Sequence, residues 1–208
     1  MAGQRAAARP ARAPAVSDTP SPPAWAAGQP IAGWLRLTAR GAWLIRDAAV
    51  EHPALRAHLN RHYFRDAAGR YCVQNGQQVV YVRLDYAPYA LHVAPDGALE
   101  AHTGAAAGAV QAAYLDEAGA LTLLTALGAG RVDDASLGYF ADRVCDVVGA
   151  PADEATLAAF MDGTARPALF LDLPAGRVPI ERCLAADLPA RCGFVRDPDR
   201  QYAAPDPG

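Results

Sequence analysis

Hydrophobic and polar positions alternate most clearly between Tyr71 and Thr103. Tyr71 and Val73 precede Asn75-Gly76, and Val79 to Leu84 follow it. Asn and Gly both tolerate positive φ, so this dipeptide predicts a two-residue hairpin turn. In the second arm a period of two places Val80, Val82, Leu84 and Tyr86 on one face. Val79, Tyr81, Arg83 and Asp85 fall on the other. The first is the expected core face, and Arg83 and Asp85 mark the second as partly wet. Pro88 has no N–H for a ladder and ends the strand. A further strand is predicted from Tyr89 to Ala94, then a type I turn with a glycine bulge at Pro95-Asp96-Gly97. That turn sets Val93 opposite Leu99 and His92 opposite Glu100. A turn of Asp96-Gly97 alone would set Val93 opposite Glu100, and apolar matching favours the first register. The stretch predicts three or four antiparallel strands with one face buried.

The flanks are less periodic. Trp34, Leu35 and Leu37, then Trp43, Leu44 and Ile45, predict a short opening helix or strand pair. From Val50 to Phe64, Leu55, Leu59 and Tyr63 recur at helical spacing, and Pro53 suits a first turn; a helix is predicted over about 52–64. Val110–Leu115 and Leu121–Leu127 predict strands joined across Asp116–Gly119. Asp133-Asp134 caps a predicted helix carrying Leu137, Phe140, Val144 and Val148, stopped by Gly149 and Pro151. Another helix is predicted over about 153–162. Ala168–Leu173 and Arg177–Arg182 predict a last hairpin.

The two halves repeat an order of parts. GAWLI and GALTLL each precede a helix (HPALRAHLNRHYF, DDASLGYFADRVC), and each helix precedes a hairpin (QNGQQVVYVRL, LPAGRVPIERC). In this pairing Leu55 matches Leu137 and Arg61 matches Arg143. The predicted fold is α+β, with antiparallel sheets, three or four helices and an internal duplication of a strand-helix-sheet unit. The expected organisation is a disordered tail over 1–28, rich in Ala, Pro and Arg. An N-terminal half follows over 29–115, then a C-terminal half over 116–197 and a frayed end over 198–208.

Composition removes several classes of function. The chain has 208 residues and a net charge of −3, with no bulk pull toward nucleic acid or an anionic membrane. All 19 basic residues are arginine, which excludes a Schiff-base lysine and a Walker-type phosphate loop. Ser17, Ser21 and Ser136 are the only serines, and none stands in a nucleophile elbow. Cys72, Cys145, Cys183 and Cys192 show neither CxxC pairing nor zinc spacing and read as small buried residues. No apolar run reaches transmembrane length. No secretory h-region follows the N-terminal arginines, and the cytoplasm is the expected compartment.

Three constellations carry candidate chemistry. In the preferred register His92 and Glu100 are cross-strand neighbours with His102 diagonal to them, a donor set of the kind that holds zinc or iron. Most such solvated faces are simply polar. His58 and His62 stand at i, i+4 on the predicted helix, but HLNRH lacks the glutamate of a metalloprotease motif. Arg83, Asp85 and Tyr89 form a candidate recognition edge of cation, carboxylate and flat ring. Arg177, with Glu181, offers a second cation on the late hairpin. The opposing reading makes these tyrosines core aromatics and these arginines partners of nearby acids.

The run DAAGRYCVQNGQQVVYVRLDYAPYALHV resembles the middle of an uncharacterised proteobacterial family, a domain of unknown function. The matching positions are Asp66, Gly69, Tyr71, Asp85, Pro88 and Tyr89, and the match covers about residues 41–103. The resemblance implies a duplicated α+β core, a C-terminal half superficially like a pleckstrin-homology fold, and a nucleotide-like ligand between the halves. On residues and resemblance together, the expected function is a non-catalytic ligand-binding or regulatory module in signalling. A metal-dependent enzyme using His92, Glu100 and His102, and an adaptor binding a protein at a sheet edge, are the alternatives. The sequence does not identify a cofactor.

Overall fold

The computed structural model describes residues 31–198. The predicted tail over 1–28 and nearly all of the predicted frayed end lie outside them.

The chain first builds a six-stranded sheet. Its strands are β1 (Ile31–Leu37), β2 (Trp43–Ile45), β3 (Ala48–Ala49), β4 (Tyr63–Arg65), β5 (Tyr71–Asn75) and β6 (Gln78–Leu84). Helix α1 (Pro53–Arg61) lies between β3 and β4 in sequence, and the spatial order is β3-β2-β1-β6-β5-β4. A hairpin of β7 (Tyr89–Val93) and β8 (Leu99–Ala101) follows.

Then come β9 (Val110–Leu115), β10 (Leu121–Thr125), β11 (Ala129–Val132), α2 (Leu137–Ala141) and β12 (Val144–Cys145). Helix α3 (Glu154–Asp162), β13 (Leu169–Leu173), β14 (Gly176–Arg182) and α4 (Leu188–Cys192) complete the described chain. The second sheet has the order β12-β13-β14-β9-β10-β11-β7-β8.

The six strands β11-β10-β9-β14-β13-β12 repeat β3-β2-β1-β6-β5-β4 position by position. The pairing senses repeat too: the central joins β1–β6 and β9–β14 are parallel and the others antiparallel. The protein is therefore α+β and built from one unit used twice. GAWLI and GALTLL carry β2 and β10, and the two matched hairpins are β5–β6 and β13–β14. Residue matches shift slightly. The helix caps His62 and Asp142, and the turns opened by Asp66 and Asp146, put Arg143 at the place of Tyr63 rather than Arg61.

The sheets are mixed rather than purely antiparallel, because β1–β6, β9–β14 and β7–β11 are parallel. The stretch 71–103 does not stay in one sheet. It crosses from the first to the second at 85–88, well before the division predicted after residue 115, which would cut the β9–β10 hairpin.

The predicted helix over 52–64 ends at Arg61 because Tyr63–Arg65 pair with β5. The helix predicted to reach Val148 stops at Ala141. Asp146 Oδ1 accepts from Val148 N and Ala150 N, both at 2.9 Å, an Asx turn that competes with helix. Val147 and Val148 are left at its tip, 67% and 80% exposed. Other expectations match closely. Trp34 to Ile45 is a strand pair, the late helix and hairpin form, and His92↔Glu100 and Val93↔Leu99 are the registers of β7–β8.

A single hydrophobic cluster runs through both units, from Leu37, Val73 and Val82 to Leu123, Leu171 and Ile180. The C-terminal segment closes back on the first unit. Val195 N donates to Gly69 O and Leu84 N to Arg196 O, each at 2.9 Å, and the Phe194 ring is buried.

Candidate functional site

The predicted recognition edge is a seam between the two units. Asp85 is held by Arg36, whose Nε and Nη2 donate to its two oxygens at 2.6 and 3.1 Å. Arg36 also reaches Asp47 at 2.9 Å. Tyr86 Oη donates to Asp116 Oδ2 at 2.8 Å and accepts from Thr122 Oγ1 at 3.3 Å. Tyr63 Oη donates to Pro88 O at 2.9 Å. Tyr89 is only 7% exposed, with its ring edge-on to Tyr63 and Tyr71 at centroid distances of 5.6 and 5.7 Å. Asp85 is thus engaged by Arg36, and Tyr89 is a buried core aromatic. Arg83 alone of the three is exposed, and it forms no ion pair among the described residues. It stands beside Arg36 in the parallel β1–β6 register.

The second predicted group comes together in part. His92 Nε2 lies 3.6 Å from Glu100 Oε2 on the exposed face of β7–β8. His102 turns into an aromatic box, 5.8 Å from Trp43, 5.9 Å from Tyr63 and 6.0 Å from Tyr89 between ring centroids. Its Nδ1 accepts from Ala90 N at 3.3 Å, and its Nε2 is sealed from solvent without a hydrogen-bond partner. Burial, with His92 nearby, lowers its pKa to about 4. Among the described residues no three His, Cys, Asp or Glu side chains form a metal-holding group. On α1 the rings of His58 and His62 stand 4.5 Å apart between centroids.

The cysteines are all free, and three have thiols pushed upward. Burial raises Cys72 to about 12 and Cys192 to about 11, and also raises Cys183. Thiols held protonated at neutral pH are poor nucleophiles.

Each unit instead has a cleft at its mouth, between its helix, its long hairpin and its first strand. The second unit's cleft, of about 420 Å³, is lined by Tyr139 and Phe140 of α2, Leu173 to Pro179 of the β13–β14 hairpin, and Val110 and Gln111 of β9. The β7–β8 hairpin supplies Val93, Gly97 and Leu99. The first unit's groove, of about 200 Å³, is lined by Trp34, Leu35, Leu55, His58 and Val80 among others. The pairs Val73↔Val80 and Asn75↔Gln78 match Leu171↔Val178 and Leu173↔Gly176. Asn75 and Val80 therefore occupy in one cleft the places that Leu173 and Val178 occupy in the other.

The clefts differ because the central joins differ. β9 and β14 pair only from Ala113↔Ile180 to Leu115↔Arg182. β1 and β6 continue to Ile31↔Val80. In the second unit the strands part before Val178, and Pro179 has no N–H to offer.

Among the described residues, Arg177 is the only charged one lining the larger cleft. Its guanidinium is weakly anchored: Nη1 donates to Val147 O at 3.4 Å, and Nε lies 3.7 Å from Asp172 Oδ1, both long for a firm hydrogen bond. Gly149 leaves room for it, since a Cβ there would collide with Nη2. Sequence reasoning found Arg177 but not the cleft, whose lining joins four separate segments of the chain.

Fold and site define a two-unit α+β protein with paired clefts and no assembled catalytic group among the described residues lining them. The chain belongs to the DUF2944 family, described as "Protein of unknown function (DUF2946)", whose profile matches residues 23–199. A family of unknown function is also what the 66–93 motif led to. Among solved structures, a DUF1285 family protein from Silicibacter pomeroyi DSS-3 is similar, with a TM-score of 0.50 and 17% identity over 73% of this chain and 81% of that one. A DUF1285 family protein from Shewanella baltica OS155 matches with a TM-score of 0.39 and 18% identity, over 51% of this chain and 88% of that one. At these identities the first likeness speaks to fold alone. No curated protein matches the chain at a significant level. Among the described residues no helix is long and apolar enough to cross a membrane.

Proposed function

We propose that this protein is a non-catalytic binding module whose ligand occupies the cleft of the second unit. The ligand has a flat, largely apolar body and an anionic group, as a nucleotide has. The observation that carries this is the cleft itself. At about 420 Å³ it has the size of a small-molecule site, with apolar walls and one loosely held arginine at its rim. Tyr139 and Phe140 supply aromatic surface for the ligand body. Arg177, released from Val147 O and Asp172, meets the anion with its planar fork. Of the described lining residues none is a His, Cys, Asp or Glu, so the cleft offers binding and positioning in preference to acid–base chemistry.

The test is isothermal titration of mono-, di- and cyclic nucleotides against the full chain and against Arg177→Ala. A charge-assisted hydrogen bond contributes about 1.5–3 kcal/mol, so Arg177→Ala weakens binding about tenfold or more. Ligand recovered chemically unchanged after prolonged incubation fits the module. Failure of the wild-type chain to bind any member of the panel removes the nucleotide-like reading, and equal affinity of the variant removes Arg177 from the site.

A further inference from the structure

One pair of equivalent positions separates the open cleft from the closed one. Val80 and Val82 of β6 match Val178 and Ile180 of β14, and their neighbours across the parallel joins, Leu35 and Ala113, match in turn. Two residues earlier on the two first strands stand Gly33 and Gln111. Gly33 has φ +78° and lies within the register shift between Ile31 and Leu35. That shift carries β1 back to β6, where Ile31 pairs with Val80 and closes the join. A residue with a Cβ is strained in such a conformation.

At Gln111 the irregularity turns to the other side of the strand. The β9–β10 register passes from Ala112↔Leu124 to Val110↔Thr125, which leaves Gln111 as the extra residue of a β-bulge. The join to β14 stays open ahead of Ala113. Bulges re-aim side chains and are common beside binding sites. Gln111 is exposed and lines the cleft with Arg177. Among the described residues its side-chain amide makes no hydrogen bond, and it is the only carboxamide among the described lining residues. A carboxamide offers an N–H donor and a C=O acceptor in one plane. It therefore pairs with a ring edge on which an acceptor and a donor stand side by side.

We propose that Gln111 is the specificity-determining residue of the second cleft: its amide reads a neutral donor–acceptor edge on the ligand's ring, while Arg177 takes the anion. This role rests on the binding-module reading of the cleft. It narrows the ligand to nucleotides whose base carries an amino or carbonyl group beside a ring nitrogen. The first unit, with Gly33 at this place, has no side chain there to do the same.

Isothermal titration of the full chain and of Gln111→Met tests it. The probes are AMP, GMP, IMP and purine riboside 5′-monophosphate, which keeps the ring and phosphate but has only acceptors on its base. Methionine keeps the length of the side chain and removes its hydrogen bonds. Gln111 is exposed, so the variant keeps the fold, as an unchanged urea midpoint verifies; Gln111→Ala repeats the comparison with a smaller side chain. The wild-type chain is expected to bind at least one of the first three about tenfold more tightly than the purine nucleotide, as two neutral hydrogen bonds allow. Gln111→Met loses that preference and keeps its affinity for the purine nucleotide. The same preference in both chains, or none in the wild type, overturns the role of Gln111 and leaves the binding module standing. Failure to bind any nucleotide removes the module and this role together. In the wild-type chain the preferred nucleotide also shifts the 15N side-chain amide signal of Gln111, identified by its loss in the variants, and inorganic phosphate leaves it in place. A shift with phosphate alone assigns Gln111 to the anion and overturns the proposal.

Discussion

His102 shows at residue scale how context overrides type. By sequence it is a ligand candidate beside His92 and Glu100; in the structure its ring is boxed by Trp43, Tyr63 and Tyr89. Acceptance at Nδ1 from Ala90 N fixes the tautomer with the proton on the enclosed Nε2. Burial holds its folded pKa near 4, below the ordinary value of 6.5. The unfolded chain therefore binds this proton first. The stabilising contribution is fully present above about pH 6.5 and is lost as pH falls toward 4. His102 is expected to remain neutral by NMR titration down to about pH 4. The acid slope of stability in this window should flatten in His102→Gln, and an unchanged slope would assign it to other groups. Arg83 makes the opposite case. It is exposed and forms no ion pair among the described residues, so Arg83→Ala should change stability by less than about 0.5 kcal/mol in chemical denaturation.

At the scale of elements, one turn recurs. Asp66, Asp116 and Asp146 each accept, through Oδ1, from the backbone amides two and four residues on, and each turn is closed by a glycine of positive φ. Such D-x-x-G turns are visible in sequence, but what surrounds them is not. Gly69 has φ +81°, and a Cβ there would sit 2.9 Å from Gly193 O. Gly97 has φ +84° with open space around it. Gly97→Ala should cost only the backbone strain, about 1 kcal/mol. Gly69→Ala should cost about 2 kcal/mol or more and loosen the C-terminal segment, measured by urea unfolding of both variants. Helix α2 carries the same lesson. Apolar spacing from Leu137 to Val148 suits one long helix, yet β13 takes Val144 and Cys145 as a strand partner. Local periodicity cannot register a competing ladder that lies far along the chain.

The whole molecule depends on joints that unite the two units. Tyr86, from the crossing between sheets, donates to the buried Asp116 of the second unit. Tyr86→Phe leaves that carboxylate oxygen short of a donor inside the protein and should cost about 1–3 kcal/mol. Phe194, 6% exposed, anchors the terminal segment beneath the first unit. Phe194→Ala should cost about 3–5 kcal/mol, with loss of amide protection at Leu84 and Val195 in hydrogen exchange. A small effect with protection retained would show that the segment is held by its backbone bonds alone.

Much of this architecture was legible in the chain itself. Turn chemistry and alternation set the β7–β8 register, the β13–β14 hairpin and the apolar face of β6, because each depends on residues only a few positions apart. The repeated order of strand, helix and hairpin was also readable, since both copies keep Gly, helix and hairpin in the same sequence. Tertiary structure alone decided which strands join in parallel, where the chain crosses between sheets, that Asp85 is paired with Arg36, and that Tyr89 faces inward. It also placed Arg177 at a cleft assembled from distant segments. These outcomes rest on long-range pairing and on the burial of shared apolar faces, for which neighbouring residues carry no local signal.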